Sequence, residues 1–159
     1  MPTRTNVTRL LDSRKIKYET NEYDGSTFHP ADEVAALIGV PVEHVYKTIV
    51  VLREGQGKKP LLVMITAQRE IDLKKLAASV GEKKLKVAKY DEAEALTGLQ
   101  VGGISALALL RKPFEVCLDR SAVALSHIHI SGGQRGLDVK LAVTDLIALS
   151  KAKLVEATG

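Results

Sequence analysis

The chain has no tryptophan, and its four tyrosines and two phenylalanines make up 4% of its residues. That scarcity predicts no obvious platform on which nucleic-acid bases could stack. It has a single cysteine, Cys117, which excludes an internal disulfide and suits a reducing compartment. Cys117 lies in the strand-like run Phe114-Glu115-Val116-Cys117-Leu118, a setting that favours a packed, inert thiol over a nucleophile. No stretch approaches the roughly 20 apolar residues needed to cross a bilayer. The opening Met1-Pro2-Thr3-Arg4-Thr5-Asn6 lacks the apolar core of a secretory signal, so a cytoplasmic protein without a membrane partner is expected. Repeats, linkers and low-complexity tracts are also missing, and residues 1–159 read as one domain with its own core.

What is present is an ordinary globular composition, 45% hydrophobic and 26% charged. A net charge of +4 permits a polyanionic partner without requiring one. Lys74, Lys75, Lys83, Lys84, Lys86 and Lys89 fall within sixteen residues, either as a phosphate-holding patch or as a solvated face.

The hydrophobic periodicity predicts helices over 6–16, 31–38, from Asp72 to Gly81, from a capping box at Asp91 and Glu94 to Gly98, and over 145–150 behind Thr144. Strands are expected over 17–23, 45–53, 61–66, 85–88, 114–118, 127–130, 137–141 and 154–157. The strands over 45–53 and 61–66 read as an antiparallel hairpin. Several connections are too short for parallel crossovers, which predicts a mixed sheet in an α+β domain.

Lys47 stands out in Val45-Tyr46-Lys47-Thr48-Ile49-Val50-Val51-Leu52. Side chains alternate along a strand, and here both faces are largely apolar, the mark of a covered strand. An ammonium there needs an anion or a polar pocket, unless it snorkels to water at the strand mouth. In Val101-Gly102-Gly103-Ile104-Ser105, paired glycines allow close backbone approach to a ligand, or form a simple bend; no P-loop ending follows. Ser131-Gly132-Gly133-Gln134-Arg135-Gly136-Leu137-Asp138 could bring a hydroxyl and a carboxylate to one rim, or serve only as a hairpin turn. His127 and His129 share a strand face, as solvated side chains or as two ligands of a metal whose further ligands are not evident. A Ser-His-Asp triad stays open, with no nucleophile elbow to support it.

Taken in order, these three segments resemble the YbaK family of free-standing editing proteins, which are related to the insertion domain of bacterial prolyl-tRNA synthetase. The similarity extends over nearly the whole chain, including the Asp72-Leu73-Lys74-Lys75 helix start, and looks nearest to the Cys-tRNA(Pro) deacylase branch. The resemblance implies an α+β fold with a mixed, barrel-like β-sheet surrounded by helices. It also implies a hydrolase that cleaves the ester of mischarged Cys-tRNA(Pro) without metal or cofactor. Lys47, Gly102 and Gly103 would be catalytic, with Lys47 positioning the acceptor end, while Tyr23, Thr48, Ile104, Ser105, Ser131 and Asp138 would bind substrate. The attacking group would be the substrate's own thiol, a ribose hydroxyl or water. Aminoacyl-tRNA is the implied partner, with prolyl-tRNA synthetase in a ternary complex and no DNA.

One departure stands out: the family commonly reads Gly-Gly-Ile-Ser-Pro where this chain has Ala106 after Ser105, which bears on which amino acid is edited. Three other readings remain: a deacylase for another small residue such as Ala-tRNA(Pro), a non-catalytic tRNA-binding module, and a Schiff-base enzyme using Lys47.

Overall fold

The structure, a computed structural model, describes residues 3–55 and 57–159. In chain order its elements are α1 (Asn6–Ser13), β1 (Tyr18–Glu22), α2 (Ala31–Ile38), β2 (Tyr46–Arg53), β3 (Leu61–Thr66) and α3 (Leu73–Val80). There follow β4 (Leu85–Val87), α4 (Tyr90–Thr97), β5 (Glu115–Asp119), β6 (His127–Ser131), β7 (Leu137–Ala142), α5 (Val143–Ser150) and β8 (Lys153–Val155).

Local chemistry sets most of these boundaries. Thr5 and Thr8 cap α1 reciprocally, each hydroxyl accepting the other's backbone N–H at 3.3 and 2.8 Å. The helix ends sooner than its apolar spacing suggests, because Lys15 turns left-handed at φ 57°. Asp72 Oδ1 accepts from the N–H groups of Lys74 and Lys75 at the start of α3. Gly39, Gly81 and Gly98 close α2, α3 and α4 in the left-handed conformation.

Two helix starts differ from expectation. In α4 the cap position is Lys89, whose N–H is taken by Glu92 at 3.0 Å. Glu94 is free to accept the Val101 N–H at 2.9 Å, tying the helix to the glycine segment. α5 begins at Val143, so Thr144 sits inside it rather than capping it.

The expected α+β class holds, and its strands are arranged in two sheets, one of them mixed. β1-β7-β6 is wholly antiparallel. β4-β2-β3-β5-β8 is mixed, with β2 antiparallel to β3 and β4, and β5 parallel to β3 and β8. A parallel bridge between Val45 and His129 joins the sheets. The alternation in β2 does what its sequence requires: Tyr46 and Val50 enter the core between the sheets, whereas Val51 enters a second core with Leu76 and Ala77 of α3. The strand is covered on both faces.

Candidate active site

β2 has a break in the pairing along one edge. β4 pairs only with Val51–Arg53, and the bridge from β6 reaches only Val45. Val45 turns its carbonyl to Ala67 beyond β3, and Val50 turns its own to Ala88 beyond β4. By alternation, the main-chain N–H and C=O of Thr48 point into the gap. The gap opens a cavity of about 470 Å³ between the sheets.

Lys47, Thr48, Tyr23, Gly102, Ile104, Ser131 and Asp138 all line this cavity. Seven of the nine site residues expected from the sequence therefore converge, though they come from five separate segments. Lys47 is half-buried, not sealed in. Its only polar contact among the described residues is a long one, Nζ donating to the Ala67 carbonyl at 3.4 Å. The lysine is thus a cation that the fold has not neutralised.

Gly103 and Ser105 are not on the cavity wall. The Gly103 N–H closes a tight turn onto the Gln100 carbonyl at 2.8 Å, leaving it unable to donate to a substrate oxygen. Gly102 holds φ +92° at the third position of that turn, a conformation that disfavours a side chain. A Cβ on Gly103 would lie 2.8 Å from Gln134 Cα and 3.0 Å from Arg135 N, so this glycine is needed for the two glycine-rich loops to touch. Arg135 locks them further, its Nε donating to the Val101 carbonyl at 2.7 Å. Ser105 is 1% exposed and its hydroxyl has no partner, which places it in the core beneath the site.

Asp138 is only 2% exposed, yet both of its hydrogen bonds fall on one oxygen. Oδ2 accepts from His129 Nδ1 at 2.7 Å and from Asn21 Nδ2 at 3.3 Å. Oδ1 has no protein donor among the described residues and is not among the sealed-off polar atoms, so it faces the cavity.

His129 is the residue that sequence reasoning misplaced: it is buried, not solvated, while His127 on the same face is exposed. The bridge to Val45 covers the first and leaves the second free. Among the described residues these side chains form no catalytic triad. His129 opens onto a smaller cavity on the far side, with His44 and Lys140, and Ser131 Oγ is used locally, accepting the Gly133 N–H at 3.2 Å. Among the described residues no cluster of three His, Cys, Asp or Glu side chains is placed to hold a metal.

Phe28, His29 and Tyr90 also line the cavity and were not singled out by sequence. Burial raises the Tyr23 and Tyr46 phenols above their ordinary range, so both hydroxyls stay protonated near neutrality. Cys117 does not line the cavity; it sits on β5 beside β3, in the second core, with its thiol pushed up to about 11 by burial.

The model of the aminoacyl-tRNA editing domain matches residues 26–149. A protein of Enterococcus faecalis, EbsC, provisionally named a Cys-tRNA(Pro)/Cys-tRNA(Cys) deacylase, is 32% identical over 156 residues, covering 98% of this chain and 93% of that one. The prolyl-tRNA editing protein ProX of Acetoanaerobium sticklandii is 28% identical over 156 residues, covering 96% and 90%. The crystal structure of a protein provisionally named a trans-editing enzyme for prolyl tRNA synthetase superposes with a TM-score of 0.79 at 24% identity, over 99% of both chains, and shares the fold. With a family model matched over residues 26–149 and a relative 32% identical over nearly its full length, the chain belongs to the aminoacyl-tRNA editing domain family.

Proposed function

We propose that this protein hydrolyses, in trans, the ester linking cysteine to tRNA(Pro). The observation that carries the reading is the unneutralised ammonium of Lys47 at the edge of a cavity that also holds the free oxygen of Asp138. An aminoacyl ester offers a complementary pair of groups. Its acceptor-end phosphate or polarised carbonyl meets Lys47, and its α-ammonium meets Asp138 Oδ1.

Because the Gly103 N–H is already used, the backbone donor toward the carbonyl oxygen is Thr48, whose N–H points into the gap. Gly102 and Ile104 form the adjoining wall, with Tyr23 and Ser131 bounding the amino-acid end. No serine or cysteine of the cavity wall is paired with a base, which supports attack by the substrate's own thiol, a ribose hydroxyl or water. Prolyl-tRNA synthetase is the partner we expect to supply the mischarged tRNA.

The deciding experiment is release of amino acid from a panel of tRNA(Pro) charged with cysteine, alanine or serine. Cysteine should be released fastest. Release of alanine in preference to cysteine would assign the site to the other small residue, and no release from any member of the panel would remove the deacylase reading.

A further inference from the structure

Four of the six aromatic residues, Tyr23, Phe28, Tyr46 and Tyr90, line the main cavity. An overall scarcity that argued against a stacking platform is thus offset by concentration at one place. Two of the four are spent on the fold: Tyr46 is 2% exposed with its hydroxyl on Ser121, and Tyr23 is half-buried edge-on to His29. Phe28 and Tyr90 are different. They meet edge to face at the cavity mouth, centroids 6.1 Å apart at 63°. The Arg135 guanidinium covers Phe28 at 5.5 Å from its centroid.

Tyr90 is 67% exposed, more than any other large apolar residue described, and its hydroxyl makes no hydrogen bond among the described residues. As the first residue of α4 it contributes neither the cap nor the buried face of that helix. Lys86 and Lys89 are exposed in the same short segment, so two basic side chains precede the aromatic ring beside the opening. A flat ring held at one edge, cations one and four residues before it, and a cavity behind them are the parts used to grip an unpaired nucleotide.

We propose that Tyr90 and Phe28 form a stacking subsite for a nucleobase at the unpaired 3′ end of an RNA, with Lys86 and Lys89 following its phosphates. The subsite rests on the deacylase reading for the identity of the RNA, and it assigns two members of the lysine cluster a ligand. Stacking tolerates any base, so the subsite holds and orients the end of the chain while the ester enters the cavity.

The test uses a ligand with no ester: the single-stranded trinucleotide CCA carrying 2-aminopurine as its last base, titrated at fixed salt and followed by fluorescence. The wild-type protein and Tyr90→Phe should quench the probe, since both retain a ring. Tyr90→Ala should abolish the quench and bind about tenfold more weakly, the equivalent of ~1.4 kcal/mol. The double change Lys86→Gln with Lys89→Gln should preserve quenching while flattening the salt dependence by about 1.4 in log K against log salt, from ~0.7 per phosphate contact.

Circular dichroism checks that each variant is folded. Quenching by Tyr90→Ala equal to wild type, or no binding of the probe to wild type, overturns the subsite. The two readings fail separately: a probe that binds and stacks while no charged tRNA is cleaved keeps the subsite and removes the deacylase. Cleavage without any effect of Tyr90→Ala on the probe does the reverse.

Discussion

Replacing Lys47 with methionine separates what the lysine does for the fold from what it does for a ligand. Methionine keeps the unbranched stem and removes only the charge. In the folded protein that charge has one long contact, 3.4 Å to the Ala67 carbonyl, and forms no ion pair within 4 Å among the described residues. Losing it strands no buried partner ion, and the urea midpoint should correspond to a stability within about 1 kcal/mol of wild type. For a ligand the balance differs. An ammonium about 4 Å from an anion gains roughly 4 kcal/mol at an effective dielectric of about 20, and partial exposure halves this to about 2. The corresponding fall in kcat/KM is ~30- to ~1000-fold. Single-turnover release of labelled cysteine from Cys-tRNA(Pro), run beside a urea titration of the same preparation, reads both effects. Lys47→Arg should recover little, because the planar fork cannot take the place of a compact ammonium. Activity within threefold of wild type in Lys47→Met would refute the reasoning, as would a loss of activity matched by an equal loss of stability.

Gly103→Ala should destabilise by roughly 1–3 kcal/mol in urea and raise KM, because its Cβ meets backbone on the opposite loop and the two loops must part. Gly39→Ala is the control: at φ +74° with nothing within 4 Å of a Cβ, it carries about 1 kcal/mol of backbone strain and should leave deacylation unchanged. Native Cys117 should resist iodoacetamide at pH 8 and react once urea unfolds the chain, since burial pushes its thiol up to about 11. The same shift makes stability fall as pH rises: the folded thiol keeps a proton that the unfolded one loses near about 8.5, so the loss begins there and is complete near the folded value. Cys117→Ala should remove that slope from urea midpoints measured between pH 8 and 10, and a slope that survives the change would show that another group causes it.

How much of this was legible in the sequence depends on how far along the chain each signal reaches. α2 and α3 could be read to the residue, because Gly39, Asp72 and Gly81 act on their own helices. The β2–β3 hairpin was equally accessible. The division into two sheets was not, since it rests on β3 pairing parallel with β5 and β5 with β8, across intervening helices. Lys47 announced itself because a charge conflicts with the apolar pattern on either side of it. Gly103 announced itself as one of paired glycines, but its contact with the second loop did not, because that lies in the 2.8 Å approach of a segment thirty-one residues away. His129 looked like one half of a solvated pair; only the β6–β7 register, with Ser131 opposite Asp138 and His129 opposite Lys140, sets it diagonally against the carboxylate.

Among the charged residues that line the cavity, which include Asp32 and Glu70, Lys47 comes from the five-stranded sheet and Asp138 from the three-stranded one. Had they served stability, the economical arrangement would be a direct ion pair, and none forms between them among the described residues. Asp138 is instead held on one side by His129 and Asn21, which satisfy Oδ2 and fix the plane of the carboxylate while leaving Oδ1 open. Lys47 is left almost unbonded at a gap in the β-ladder. Local conflicts of this kind lower stability and persist where a ligand resolves them. A cation and a carboxylate kept apart in one cavity of about 470 Å³ suit a ligand with an electron-rich end and a cationic end. An aminoacyl ester at the end of an RNA chain has both, and a plain RNA terminus has only the first.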